Sequence, residues 1–158
     1  MSERSQSEAL EVLKGAYDLH VHTSPDILPR KLDDLEMAKR ATACGMAGFA
    51  IKSHYFCTAQ RAELVHELYP DCQVIGAITL NMAVGGINPI AVEMAARAGT
   101  KIVWFPTCDS QWEQELAKQE KNPEKKPFWA KIVAQLQKDG IHTPVINILE
   151  NGMLSQAA

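Results

Sequence analysis

The sequence has no apolar run long enough to cross a bilayer, so we expect no membrane-spanning helix. It also lacks a strong charge of either sign, since its net charge is only −3, which argues against nucleic acid as the main partner. None of its four cysteines forms a Cys-x-x-Cys pair, which argues against a zinc knuckle and indicates reduced thiols. Residues 1–8 lack the apolar segment of a signal peptide, so we expect a cytoplasmic protein.

The remaining composition is that of an ordinary globular domain. The chain has 158 residues, of which 46% are hydrophobic and 22% are charged. This length is sufficient for a single domain with its own core, and we treat residues 1–158 as one unit.

The most informative stretch is residues 16–26, predicted to be a short strand, 16–22, followed by a turn at Pro25. Asp18, His20 and His22 alternate with other residues and therefore share one face of the strand. Two imidazoles about 6 to 7 Å apart along a strand can lean onto one cation. A His-x-His pair is a weak signal on its own, and two ordinary structural histidines are the alternative interpretation.

Strand and helix patterns alternate along the rest of the chain. The helix-ending glycines Gly45 and Gly99 precede similar apolar segments, which indicates repeated βα units in one parallel sheet. The predicted strands are 16–22, 46–53, 73–80 and 101–105, and the predicted helices are 7–13, 32–44, 58–68, 90–98 and 128–138.

Three further segments complete the prediction. Residues 109–127 form a charged insertion, either a solvated loop or a lid over the strand ends. The Gly85-Gly86 loop before Pro89 is either a plain loop or an anion site at a helix N-terminus. Residues 145–149 form a last apolar strand, and Asn-Gly at 151–152 predicts a C-terminal β-hairpin.

Right-handed βα units bring the carboxyl ends of their strands to one rim, where we expect polar side chains to converge. These residues are His20, His22, Lys52, His54, Asn81, Thr107 and Asp109. Nitrogen-rich sites favour zinc, and mixed nitrogen and oxygen sites also accept manganese or iron. A bound metal would activate water and polarise a substrate oxygen, which suits hydrolysis of a phosphoester or a C–N bond.

Lys52 has three interpretations. It supplies a cation for a substrate anion, or it bridges metals if it is carboxylated, or it only pairs with Asp18 or Asp26.

The motif DLHVHT at residues 18–23 resembles the opening motif of the amidohydrolase and PHP-type metal-dependent hydrolases. The wider pattern resembles an uncharacterised branch of that superfamily, with matches at 18–26, Arg30, 51–55, 80–81, 85–89 and 103–107. The resemblance implies a TIM-like barrel and a metal centre whose first ligands match His20 and His22. It implies no particular substrate.

The sequence also departs from that superfamily. A full barrel needs about 250 residues, with 200 as a practical minimum, and this chain holds about five βα-like steps. The later metal ligands of the superfamily have no counterpart, since His142 is the only histidine after the predicted strand 101–105 and it precedes Pro144. The predicted fold is therefore α/β, with parallel βα repeats forming a partial TIM-like barrel and a C-terminal β-hairpin, left as a half-barrel or closed by a second copy.

We therefore predict a metal-dependent hydrolase of a small-molecule substrate, with a divalent metal, zinc before manganese or iron, and a tendency to form homo-oligomers. His20, His22 and His54 are the predicted metal ligands, and His54 and Lys52 the predicted catalytic groups. The predicted substrate-binding residues are Asn81, Arg30, Thr107 and Asp109. The alternative is a non-catalytic oligomeric module that binds a metal or a small anion.

Overall fold

A computed structural model describes residues 8, 10–142 and 144–156. Four parallel strands form a curled half-barrel sheet in the order β1-β2-β3-β4, and helices alternate with them. The strands are β1 (Tyr17–Val21), β2 (Gly48–Ile51), β3 (Gln73–Thr79) and β4 (Ile102–Trp104). The helices are α1 (Asp34–Ala43), α2 (Ala59–Leu68), α3 (Pro89–Arg97), α4 (Gln111–Gln119) and α5 (Trp129–Lys138). The predicted fold class, a partial barrel of βα repeats, is confirmed.

The core lies between β2 and the helices α1 and α2. Phe49 and Ile51 of β2 are fully buried, and small side chains such as Ala38 and Ala62 let the helices approach the sheet closely. The start of α2 lies close to Gly76 of β3, where an added Cβ would lie 2.6 Å from Ala59 Cα. Glycine is therefore required there, because the first turn of α2 occupies the space of a side chain.

Thr58 holds the N-cap position of α2 but makes no side-chain cap bond in the described structure. Its hydroxyl instead donates to Ile51 O at 2.6 Å and accepts from Ala77 N at 2.8 Å. Thr58 therefore ties β2 to β3, close to the strand ends where polar residues gather.

Within the charged range 109–127, residues 111–119 form the helix α4, and most of their side chains are exposed. Ser110 begins this helix by accepting a bond from Glu113 N at 3.3 Å. Ala117 is buried and packs with Cys108 and Trp129. This part of the chain therefore carries its own small core, shared with α5.

The C-terminal hairpin is confirmed, with β5 (Leu149–Glu150) antiparallel to β6 (Met153–Leu154) and positive φ angles at Asn151 and Gly152. The predicted strand 145–149 is wrong for most of its length. Ile146 instead forms a single parallel bridge with Ser110, beyond the end of β4.

Three further expectations concern a membrane helix, the cysteines and the N-terminal residues. Among the residues that the structure describes, no helix combines the length and apolar character needed to span a bilayer. All four cysteines lie in the described part and are free, with Cys72 and Cys108 buried. Residue 8 and residues 10–13 of the predicted helix 7–13 are helical. Of residues 1–8, in which we expect no signal peptide, residues 1–7 lie outside the described part of the chain.

Candidate metal centre

The three predicted histidine ligands lie side by side at the carboxyl ends of β1 and β2. The parallel register pairs Val21 with Ile51, so the residues after these positions meet at the same rim. The ring centroids of His20 and His22 are 5.3 Å apart. The rings of His22 and His54 stack at 4.7 Å, with planes 22° from parallel.

The ring nitrogens differ in their partners. His22 Nδ1 is buried and has no hydrogen-bond partner among the described residues. His54 Nδ1 shares a 2.8 Å hydrogen bond with Thr107 Oγ1, which fixes the ring and leaves Nε2 for another contact. His20 Nε2 lies 3.3 Å from Lys52 Nζ. No group of three or more His, Cys, Asp or Glu side chains in the described ranges has the arrangement of a preformed metal site.

The histidines are held neutral. The pKa of His22 is lowered to about 4, first by burial and then by the repulsion that a protonated His22 would meet from Arg30 and from a protonated His54. Burial, followed by the charge of Lys52, lowers the pKa of His54 to about 4 as well. The pKa of His20 is lowered too, mainly by burial. Neutral imidazole is the form that binds metal, so all three rings have the required charge state at neutral pH.

Lys52 is almost fully buried, with 3% of its surface exposed, and burial lowers the pKa of its ammonium group. Its Nζ lies 4.5 Å from the centre of the Trp104 ring, a cation–π distance. It forms no ion pair within the described ranges, so the interpretation of Lys52 as a partner of Asp18 or Asp26 finds no support here. Asp26 pairs with Arg30 instead.

Asn81 connects the strand ends. It is fully buried, and its Nδ2 donates to His54 O at 2.9 Å and to Thr107 Oγ1 at 3.0 Å. Its Oδ1 accepts from Thr107 N at 2.8 Å. These contacts use both amide hydrogens and the oxygen, so Asn81 positions His54 and Thr107 rather than meeting a substrate directly.

The other predicted substrate-binding residues lie on two sides of the histidines. Arg30 Nε donates to Asp26 Oδ2 at 2.7 Å, and the guanidinium charge contributes to the low pKa values of the histidines. Asp109 lies on the β4 side, with its Oδ2 accepting from Met82 N at 2.8 Å. Asp109 is 7% exposed, and burial raises the pKa of its carboxyl group.

The site also contains two aromatic residues that the sequence analysis did not assign to it. The Trp104 ring lies 5.1 Å from that of His20, and its buried Nε1 has no hydrogen-bond partner in the described part of the chain. The Tyr55 ring meets His54 edge-on at 6.1 Å. No sequence signal marks Trp104, because residues 102–105 are all apolar; only in the structure are Ile102 and Trp104 half-buried whereas Val103 is exposed.

The Gly85-Gly86 loop has the geometry of a plain loop. Asn88 Oδ1 accepts hydrogen bonds from Ile90 N at 3.1 Å and Ala91 N at 3.2 Å. The free N–H groups that an anion would use at the start of α3 are thus already bonded, which favours the plain-loop interpretation.

The fold and this rim define an α/β half-barrel protein with histidines and a buried lysine at the carboxyl ends of its first two strands. The chain belongs to DUF6282, a family of unknown function, whose model matches residues 15–156. Searches of curated proteins and of solved structures found no match.

Proposed function

We propose that this chain is a metal-dependent hydrolase in which His20, His22 and His54 hold a divalent cation, zinc before manganese or iron. The observation that carries the proposal is the buried His22 Nδ1, which lacks a hydrogen-bond partner in the described structure and lies between two other neutral imidazoles. A buried polar atom without a partner is costly, and a metal would satisfy it. The three nitrogen donors fit zinc best.

Groups around these histidines would bind the substrate and orient the metal ligands. A bound metal would supply an activated water for attack on a phosphoester or a C–N bond. Lys52, next to His20 and over Trp104, is a donor for a negatively charged substrate oxygen. The Thr107 hydroxyl and Asn81 keep His54 in a fixed orientation. Carboxylation of Lys52 is the alternative, in which it becomes a ligand itself.

Elemental analysis of protein purified without added metal tests the proposal. We expect near-stoichiometric zinc, manganese or iron, lost in the His20→Ala/His22→Ala double variant. His142→Ala is the matched control, since His142 is exposed and far along the chain from the rim. A metal content that is the same in both variants, or negligible in the unaltered protein, would refute the proposal. Phosphatase and amidase panels with the metal bound then separate the two reactions.

A second candidate is a non-catalytic oligomeric module with the same fold, and the open sheet favours it. Within the described sheet, β1 and β4 each have a neighbour on one side only. Apolar side chains on these two strands and just beyond β4 are exposed, namely Tyr17, Leu19, Val103 and Phe105. An open edge with exposed apolar residues favours pairing with a second copy, which would bring β4 of one chain beside β1 of the other.

Solution mass combined with the activity panels decides between these candidates. A dimer that binds metal and remains inactive on every substrate supports the module. An active protein of any mass supports the hydrolase. We also propose a cytoplasmic location, because four free cysteines suit a reducing compartment.

A further inference from the structure

A small cavity of about 180 Å³ lies next to the candidate metal centre. Its apolar walls include Met82, near the end of β3, and Val133 and Leu136 of α5. Tyr55 also lines it, and the edge-on contact between Tyr55 and His54 joins the cavity to the histidines. A ligand in this cavity would therefore contact Tyr55, whose ring packs against that of His54.

The cavity contains one carboxyl group in a mostly apolar lining. Asp109 is more than nine-tenths buried, and within the described ranges its carboxyl group makes one side-chain hydrogen bond, accepting from Met82 N at Oδ2. No Lys, Arg or His side chain in the described ranges forms an ion pair with it. The Cys108 thiol, which also lines the cavity, is neutral, because burial raises its pKa to about 12.

A buried carboxylate without a counter-ion is unfavourable in an apolar setting, and a cation placed beside it removes much of that cost. The cavity volume also limits the ligand. A protein cavity of about 150 Å³ is large enough for benzene, so this one accommodates a single ring or a branched alkyl group. Charge and volume together therefore favour a ligand in which a positively charged group is attached to a small apolar group.

We propose that this cavity, which we call the Asp109 cavity, binds an ammonium group attached to a small apolar group of the substrate. The proposal rests on the hydrolase function proposed above, because it names the substrate class of the same site. Asp109 Oδ1 accepts a hydrogen bond from the ammonium group, and the side chains of α5 cover the apolar part. The scissile bond then lies on the side of the cavity where Tyr55 meets His54.

Benzylamine is the probe, and isothermal titration calorimetry on the full chain is the measurement. Benzyl alcohol keeps the ring and lacks the charge, whereas methylamine keeps the charge and lacks the ring. We expect benzylamine to bind at least about tenfold more tightly than either, since a charge-assisted hydrogen bond contributes that much. Equal affinities for benzylamine and benzyl alcohol would overturn the proposal.

Two variants locate the binding site. Asp109→Asn retains an oxygen for Met82 N, and we expect it to lower the affinity for benzylamine to that of benzyl alcohol. Ala83→Phe fills the cavity from an exposed position on its lining, and we expect it to abolish binding of both ring compounds. Ala96→Phe, at an exposed position of α3, is the matched control and retains binding. Unchanged benzylamine affinity in Asp109→Asn, or in a folded Ala83→Phe protein, would overturn the proposal.

The His20→Ala/His22→Ala variant separates this inference from the hydrolase proposal. We expect it to lose metal and to keep its affinity for benzylamine. Metal binding without selective benzylamine binding overturns the Asp109 cavity alone. Selective benzylamine binding in a protein that binds no metal supports the Asp109 cavity and refutes the hydrolase.

Discussion

The imidazoles of His22 and His54, from neighbouring strands, stack with their ring centroids 4.7 Å apart. Two imidazolium ions at this distance would repel each other, so the contact is favourable only while at least one ring is neutral. Burial and nearby positive charges lower the pKa of each ring to about 4. Protonation of His22 and His54 is therefore linked to the stability of the sheet.

We expect metal-free protein to lose stability as the pH falls from about 6.5 to about 4. In the unfolded chain the two imidazoles take up protons near their ordinary pKa of 6.5, whereas the folded rings stay neutral until about 4. The unfolded state thus binds more protons in this window, and acid favours it. Urea unfolding at several pH values measures the effect. The His22→Gln/His54→Gln variant should show a weaker dependence on pH, and an equal slope in both proteins would contradict the prediction.

Lys52→Met should leave stability unchanged or raise it by about 1 kcal/mol, because methionine fits a buried position without the cost of desolvating an ammonium group. The lowered pKa of Lys52 has burial as its largest cause, and its ammonium group contacts the Trp104 ring and His20. Any hydrolytic activity should disappear in the same variant. Chemical denaturation beside an activity assay measures both, and a stability loss above about 2 kcal/mol would show that the ammonium group is itself stabilising.

Arg61→Ala should destabilise the protein by about 3 kcal/mol, because it leaves the buried carboxylate of Asp34 without its cation. Arg61 bonds both oxygens of Asp34, at 2.9 and 2.8 Å, and also donates to Thr23 O at 3.1 Å. Thr23 follows His22 directly, so this ion pair also holds the end of β1 in place.

The matched control for Arg61→Ala is Arg97→Ala. Arg97 also pairs with an acid, Glu93, but the two side chains are 73% and 56% exposed. Exposed pairs contribute about 0 to 1 kcal/mol, so Arg97→Ala should have little effect. Similar losses in the two variants would mean that burial does not set the strength of the Arg61–Asp34 pair.

The βα order and the meeting of His20, His22, Lys52 and His54 were predictable, because both follow from local patterns. Apolar runs marked the strands, and the two-residue period of a strand placed each polar pair on one face. Parallel strands then bring their carboxyl ends together whatever the details of packing. These inferences need no knowledge of which side chains contact one another.

Features that depend on long-range contacts were harder to predict. The helix α4 was missed because the charged range 109–127 was interpreted as an insertion, although Lys, Glu and Gln favour helix and Ser110 and Glu113 have the spacing of a capping box. The strand predicted at 145–149 is replaced by a single bridge from Ile146 to Ser110, a contact set by tertiary packing. Thr58 holds the N-cap position of α2, but its hydroxyl bonds β2 and β3, which no local pattern indicates.

Asn81→Ala should cost about 2 to 4 kcal/mol, more than a typical exposed amide, because it leaves several buried groups without partners. The carbonyl of His54 and the N–H of Thr107 both lose their bonds to the amide. Loss of this support should also lower zinc affinity by about tenfold in the folded protein, as expected when a group that orients a metal ligand is removed.

Asn88→Ala is the same substitution at a helix cap and should cost only about 1 kcal/mol, with no effect on zinc affinity. Urea unfolding and competitive zinc titration on both variants measure the difference. If Asn81→Ala proved no more destabilising than Asn88→Ala, the amide would not be what holds the ends of β2, β3 and β4 together. If the stability loss appeared without a change in zinc affinity, Asn81 would support the sheet but not the orientation of His54.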